Sequence, residues 1–274
     1  MSNKFDVIVI GGGHAGAEAA MISARMGCRT ALVTMDQNKI GQMSCNPAIG
    51  GLGKGQLVKE IDALFGEMGR AIDDTGIQFR TLNSSKGPAV RSSRAQADRN
   101  AYRLRITEAV RACPNLEVVQ GEVNELIVKG DRVVGITTLE GQTIEAKASI
   151  VTTGTFLGGL MHTGEKKTTG GRVGEKASSK LTSSLLSLGL KMGRMKTGTP
   201  ARLALSSIDL TKTEEQPGDT PIKPFSFRTK KIERNQVSCW ITNTTAETHQ
   251  IIAANFERSP MFNGQIESRG PRYC

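Results

Sequence analysis

Residues 4–20 read KFDVIVIGGGHAGAEAA, and this stretch decides the fold. Phe5 to Ile10 is a short apolar run rich in β-branched residues, the pattern of a buried parallel strand. Gly11, Gly12, Gly13, His14, Ala15 and Gly16 follow, and Ala17 to Met26 is an alanine-rich stretch of good helix formers. Gly27 stops it, and Thr30 to Thr34 reads as a second strand. The spacing Gly11-x-Gly13-x-x-Gly16 between a strand and a helix has a physical purpose. Gly11 permits the tight turn, Gly13 lets the backbone approach a diphosphate, and Gly16 lets helix and strand pack closely, with the helix N-terminus facing the phosphate charge. In this setting the motif predicts dinucleotide binding.

Downstream, Gly41 to Gly55 forms a glycine-rich loop, GQMSCNPAIGGLGKG. The next stretch places Leu57, Val58, Ile61, Leu64, Phe65 and Met68 on one helical face. Ala97 to Cys113 reads as a helix, basic on its outer side, and Leu116 to Val123 as a strand. Leu126–Val128, Val133–Thr138 and Thr143–Ala148 form a three-stranded meander, joined by Lys129-Gly130-Asp131 and Glu140-Gly141-Gln142. Ile150 to Thr153 returns as an apolar strand ending in Thr153-Gly154-Thr155. Meander, strand and second glycine resemble the crossover of the glutathione-reductase-type FAD fold; a simple NAD domain would continue alternating helix and strand. The expected architecture is therefore α/β: a Rossmann-like FAD-binding domain with a parallel sheet and a three-stranded meander, plus an inserted β-containing subdomain. The acid that normally holds the ribose at the end of the second strand is absent near Thr34, and Asp36 lies two residues on. Ribose contact is left to Thr34, Asp36 or the backbone. From about Ala201 the character changes, with Pro217, Pro221, Pro224 and short β-like runs such as Val237 to Thr242. The expected division is residues 1–200 for the FAD-binding portion and 201–274 for the inserted nucleotide-binding subdomain.

With 274 residues, 38% of them hydrophobic, the chain can bury a real core, and its 31 glycines point to many tight turns. Aromatics make up 4%, which argues against a binder that stacks bases on aromatic side chains. The formal charge is +10 with a pI near 9.6. Six basic residues stand against Asp98 between Lys86 and Arg105, and nine lie between Lys166 and Arg202. Such clustering favours phosphate contacts over a uniformly solvated surface. The five cysteines show no CxxC pair and no zinc spacing, and the three histidines show no metal spacing, so no metal is expected. No signal peptide and no run approaching ~18 apolar residues is present, so no membrane is expected and a reducing cytoplasm is the simplest compartment. Gly50-Gly51-Leu52-Gly53-Lys54-Gly55 is not a triphosphate loop, because no Ser or Thr follows Lys54 and Ala48 replaces the first glycine.

Among candidate residues, Cys45 reads either as a small buried thiol or, among glycines and upstream of a helix start, as a thiol whose thiolate is favoured by exposed amides. Cys274 has a cation two residues away, at Arg272. Cys28, Cys113 and Cys239 read as structural, and His14 as a local hydrogen-bonding group. Lys86, Arg91 and Arg94 in KGPAVRSSR, and Arg194 and Lys196 in GRMKTGTP, read either as exposed basic loops or as contacts to the phosphates of a cofactor or a nucleic acid.

Taken together, GGGHAGAEAA (11–20), MSCNPAIGGLGKGQLVKEIDAL (43–64), GIQFRTLNSSKGPAVRSSRAQADR (76–99), GRMKTGTPARL (193–203) and GPRYC (270–274) resemble the GidA/MnmG family of tRNA uridine 5-carboxymethylaminomethyl modification enzymes. The resemblance covers essentially the whole chain. It implies an FAD domain, an inserted nucleotide-binding subdomain and a long helical C-terminal region. Because family members are more than twice this length, the chain is expected to be an N-terminal portion without that helical region. The implied chemistry is FAD-dependent addition of a carboxymethylaminomethyl group to carbon 5 of the wobble uridine. It uses a tetrahydrofolate one-carbon donor, NADH as reductant, an MnmE-type GTPase partner and a homodimer. The resemblance carries the family's two functional cysteines onto Cys45 and Cys274. FAD contacts fall on Gly11, Gly12, Gly13, His14, Ala15, Gly16, Val123 and Ser178, and the start of an NAD motif on Gly270, Pro271, Arg272, Tyr273 and Cys274. The competing readings are a generic flavin oxidoreductase and an inactive tRNA-binding piece.

Overall fold

The computed structural model describes residues 4–43, 46–266 and 268. Contacts group the chain into two units, residues 1–154 with 217–239, and residues 155–216 with 240–274.

The first unit opens with β1 (Lys4–Ile10), α1 (His14–Arg25) and β2 (Thr30–Thr34). It continues through β3 (Ala48–Gly50), α2 (Gly55–Ala63), α3 (Met68–Thr75), β4 (Gly76–Leu82), β5 (Ser92–Ala97) and α4 (Arg99–Arg111). β6 (Leu116–Gln120), β7 (Val123–Lys129), β8 (Arg132–Thr138) and β9 (Thr143–Val151) complete it. The main sheet has the order β6-β2-β1-β9-β8-β7. β6, β2, β1 and β9 run parallel, while β7, β8 and β9 form the antiparallel meander. Ile150 to Val151, read from sequence as the start of a separate strand, instead continues β9. That strand pairs with β8 at its beginning (Thr143 with Thr137) and with β1 along its length (Ile10 with Val151).

Residue pattern explains the helices. α1 buries Gly16, Ala17, Ala20, Met21 and Ala24, small residues at helical spacing that let it lie close on the sheet. Asp98 caps α4 by accepting from the amides of Asn100 and Ala101, and the helix buries Tyr102, Ile106 and Val110. The apolar face expected over residues 57–68 does not form one buried stripe. α2 ends at Ala63, Leu57 is 52% and Leu64 72% exposed, and Val58 is the buried large apolar residue. α2 turns Asp62 inward instead. The carboxylate, buried, accepts from Ser226 Oγ (2.7 Å), Phe227 N (2.8 Å) and Arg228 (2.7 Å).

β3, β5 and β4 make a second, antiparallel sheet in the order β3-β5-β4. The free edge of β4 is covered by segment 217–239, through Asp219 N to Phe79 O (2.8 Å) and Val237 N to Ile77 O (2.6 Å). The same segment is pinned by Asp73, which accepts from Phe225 N (2.8 Å) and Ser226 N (2.9 Å), and Phe225 itself is fully buried.

In the second unit, β10 (Leu160–Thr163) and β11 (Lys166–Thr169) form a hairpin, and α5 (Lys180–Ser187) buries Leu181 and Leu185. β12 (Glu214–Gln216) pairs with β13 (Cys239–Ile241), whose Trp240 and Ile241 belong to this unit. α6 (Ala246–Ala253) starts with a capping box between Thr245 and Thr248. Large apolar side chains lie on the surface here, Val173, Met195 and Leu203 among them.

Candidate dinucleotide-binding site

β1 delivers the chain into the Gly11–Gly16 turn, and the neighbouring strands hold the turn by backbone bonds. Gly11 N donates to Val33 O of β2 at 2.8 Å, and Thr152 N, just beyond β9, to Ile10 O at 2.9 Å. The Thr152 hydroxyl adds bonds to Ile10 O (2.9 Å) and Gly11 O (3.1 Å).

Three of the four glycines have no room for a side chain. Gly11 has φ +107°, and a Cβ there would lie 2.5 Å from Thr152 O. At Gly12 it would meet Thr34 Oγ1 at 2.8 Å, and at Gly16 the Gly11 carbonyl oxygen at 1.8 Å. Gly13 is different: nothing lies within 4 Å of a Cβ built there. It is the N-cap of α1, has extended backbone and supplies no side-chain cap, and no acid occupies the helix's first turn. Amides at the positive end of a 12-residue helix thus open onto space beside Gly13, a cradle that fits a diphosphate. The residues present fit the FAD diphosphate.

His14 turns its ring toward α4, edge-on to Tyr102 with centroids 5.7 Å apart. Burial pushes the Tyr102 phenol well above its ordinary pKa, and its hydroxyl has no hydrogen-bond partner among the described residues. Behind the loop, Glu18 accepts from Glu67 N (3.0 Å) and Met68 N (2.6 Å), and burial outweighs these bonds to raise its pKa. Burial also works against the ionised form of Glu67, but hydrogen bonds from Arg105 and Arg25 overcome it and hold that carboxyl low.

At the end of β2, Asp36 is occupied locally. It accepts from Asn38 N (2.9 Å) and pairs with Lys39 (3.3 Å), the amide bond being the largest cause of its lowered pKa. This leaves the Thr34 hydroxyl, beside Gly12, as the side-chain group at the strand's end. Val123 is buried at the start of β7, two residues after Gly121, whose N–H donates to Thr34 O at 2.9 Å. It therefore sits near the same strand terminus.

The remaining candidates are placed as follows. Lys86 and Arg91 lie in the exposed tip between β4 and β5, where Arg91 Nε donates to Lys86 O (3.0 Å). Arg94 belongs to β5 and stands directly opposite Arg80. Ser178, Arg194 and Lys196 lie in the second unit. There Ser178 N donates to Phe156 O (2.8 Å), its buried hydroxyl has no partner among the described residues, and Arg194 donates to Gly158 O (2.7 Å). Cys45 and the run Gly270, Pro271, Arg272, Tyr273 and Cys274 fall outside the described residues. Among the described residues no cluster of His, Cys, Asp or Glu could hold a metal, and no helix is long and apolar enough to cross a membrane. Sequence reasoning missed Thr152, Asp62 and Asp73. Thr152 follows a β-strand with the hydroxyl that a tight turn uses, but the aspartates carry no local signal.

Comparison with known proteins extends this picture. The family described as Glucose inhibited division protein A matches residues 6–274. The tRNA uridine 5-carboxymethylaminomethyl modification enzyme MnmG of Nitratiruptor sp. is 59% identical over 273 residues, 99% of this chain and 44% of that protein. Its namesake from Wolinella succinogenes is 57% identical over 272 residues, 98% of this chain and 44% of the relative. The form I crystal structure of Aquifex aeolicus GidA matches with a TM-score of 0.91 at 50% identity, covering 99% of this chain and 46% of that one. The GidA-related protein from Thermus thermophilus, 22% identical with a TM-score of 0.51, shares the fold over 68% of this chain and 69% of its own. The chain thus spans less than half the length of the curated relatives it matches. With the family match running from the first strand through the last residue, and this cradle on the same fold, the chain belongs to the GidA family.

Proposed function

We propose that this chain binds FAD at the Gly11–Gly16 turn and takes part in adding a carboxymethylaminomethyl group to carbon 5 of the wobble uridine of tRNA. The observation that carries the reading is the open, uncapped helix terminus at Gly13, in a chain 59% identical to an enzyme named for that modification. Gly11, Gly12, Gly13, His14, Ala15 and Gly16 hold the diphosphate, with Val123 at the adenine end and Ser178 as a further contact. FAD supplies the redox chemistry when bound, with NADH as reductant and a tetrahydrofolate donor for the one-carbon unit. An MnmE-type GTPase and a second copy of the protein are the partners, and a reducing cytoplasm is the compartment. Residues 1–200 serve the flavin and 201–274 the inserted nucleotide-binding subdomain, beginning an NAD motif at Gly270–Cys274. This is a division by ligand, and it cuts across the division by contacts.

The protein groups do the rest. Carbon 5 of uridine is a weak nucleophile, and a thiolate adding to the adjacent ring carbon makes it enolate-like. Cys45 and Cys274 are assigned to this step and to handling of the adduct. Lys86, Arg91, Arg94, Arg194 and Lys196 contact tRNA phosphates.

The test is a flavin spectrum and a tRNA-modification assay of the chain beside a full-length relative. A flavin band that survives gel filtration in the wild type and is lost in Gly13→Ala supports the reading; a chain that stays colourless after incubation with FAD sinks it. In the full-length relative, near-normal modification by the variant equivalent to Cys45→Ser removes that thiol from the mechanism.

A further inference from the structure

The ribose end of the cradle departs from the usual dinucleotide site. There, an acid at the end of the second strand takes the ribose hydroxyls and repels a nucleotide with a 2′-phosphate, whereas a nearby arginine admits one. Here β2 ends in Thr34, whose hydroxyl oxygen lies 2.8 Å from where a Cβ on Gly12 would stand. The group beside the glycine turn is therefore uncharged. Asp36 is turned to its own loop: one carboxylate oxygen accepts from Asn38 N (2.9 Å) and the other pairs with Lys39 (3.3 Å). The same loop receives Arg103 from α4, and one of its N–H groups donates to Asn38 O at 2.6 Å. The guanidinium makes no ion pair among the described residues, so a full positive charge and further N–H groups remain for an anion. Its helix is fixed on both sides. The Thr107 hydroxyl donates to Ile40 O (3.3 Å), just past the loop, and Tyr102 packs edge-on against His14 at 5.7 Å.

We propose that this strand end is a phosphate subsite: Thr34 and Arg103 admit an adenine nucleotide that carries a 2′-phosphate on its ribose. The Thr34 hydroxyl can donate or accept, so it serves a ribose hydroxyl and a phosphate oxygen alike. Arg103 offers the phosphate a charge-assisted fork of N–H groups. Glu140 works against this, since its Oε2 would stand 3.5 Å from a Cβ on Gly121, whose N–H is bonded to Thr34 O. Arg103 offsets that repulsion. The inference rests on the adenine-nucleotide cradle proposed above, though not on the flavin.

Isothermal titration of the 274-residue chain, free of flavin, with ADP and with adenosine 2′-phosphate 5′-diphosphate tests this. The wild type binds both, with dissociation constants within about threefold of each other. Thr34→Glu, which restores the usual acid, lowers the affinity for the 2′-phosphate form relative to ADP by at least ~10-fold. Arg103→Ala lowers the same ratio about fivefold. Exclusion of the 2′-phosphate form by ~10-fold or more in the wild type overturns the proposal, and that comparison needs no variant. A ratio that neither substitution moves, or a chain that binds neither nucleotide, overturns it too. Addition of FAD separates the two readings. Displacement of ADP by FAD with the 2′-phosphate form excluded overturns the subsite and spares the flavin site. Equal binding of both nucleotides that FAD cannot displace keeps the subsite and removes the flavin.

Discussion

Gly13 and Gly16 sit three residues apart in one turn, yet their substitution has opposite consequences. A methyl at Gly16 would lie 1.8 Å from the Gly11 carbonyl, so Gly16→Ala forces the turn apart and is expected to cost about 3 kcal/mol in urea unfolding. Gly13→Ala meets no atom, keeps an allowed backbone and shifts unfolding by less than ~0.5 kcal/mol while weakening FAD binding. Asp62 gives a pH signature. Burial disfavours its ionised form, but the bonds from Arg228, Ser226 and Phe227 win and hold its pKa below the ordinary value. Its contribution is therefore present above the unfolded pKa of about 3.9 and lost as pH falls through the lower folded value. Asp62→Asn is expected to cost on the order of 3 kcal/mol at pH 7, and urea titrations below about pH 4 will show the gap closing. Asp73 has the opposite sign: burial raises its pKa despite the amides of Phe225 and Ser226, so Asp73→Asn costs less than Asp62→Asn at pH 7. The glycine spacing was legible because its partners are local. The two aspartates were not, since the groups they satisfy lie more than 150 residues along the chain.

Elements were legible to the extent that their apolar pattern is their packing pattern. β1, α1, β2, α4 and the meander follow from short-range periodicity. α2 does not, because its orientation is decided by a buried carboxylate rather than by its leucines. β4 and β5 escaped reading because Arg80 and Arg94 mask a strand pair whose other face buries Phe79 and Ala95. The element most open to test is segment 217–239. Phe225 lies under Gly50, where an added Cβ would come within 2.7 Å of its ring, so the segment braces the glycine-rich loop from below. Phe225→Ala is expected to cost about 3–5 kcal/mol and to speed limited proteolysis within 41–55 as well as 217–239. Loss of stability with unchanged cleavage in 41–55 would separate the segment from the loop.

For the molecule as a whole, charge and unit structure make separate predictions. At +10, binding to an anticodon stem-loop should weaken steeply with salt. Each of Lys86→Ala and Arg91→Ala should flatten the slope of log K against log salt by about 0.7 if its side chain neutralises one phosphate. Hydrogen exchange should be slowest in β1 and β2, where side chains such as Ile8, Val9 and Leu32 are sealed off. It should be at least ~10-fold faster across the second unit, with its surface Val173, Met195 and Leu203.

β9 joins the parallel and antiparallel halves of the main sheet, and that has a consequence for synthesis on the ribosome. β1 is made first, but one of its two neighbours is among the last strands of the sheet to emerge. A nascent chain stalled before residue 143 therefore exposes a row of unanswered amides and carbonyls along its earliest strand. Until translation passes Val151, that bare flank is where one stalled chain would stick to the next.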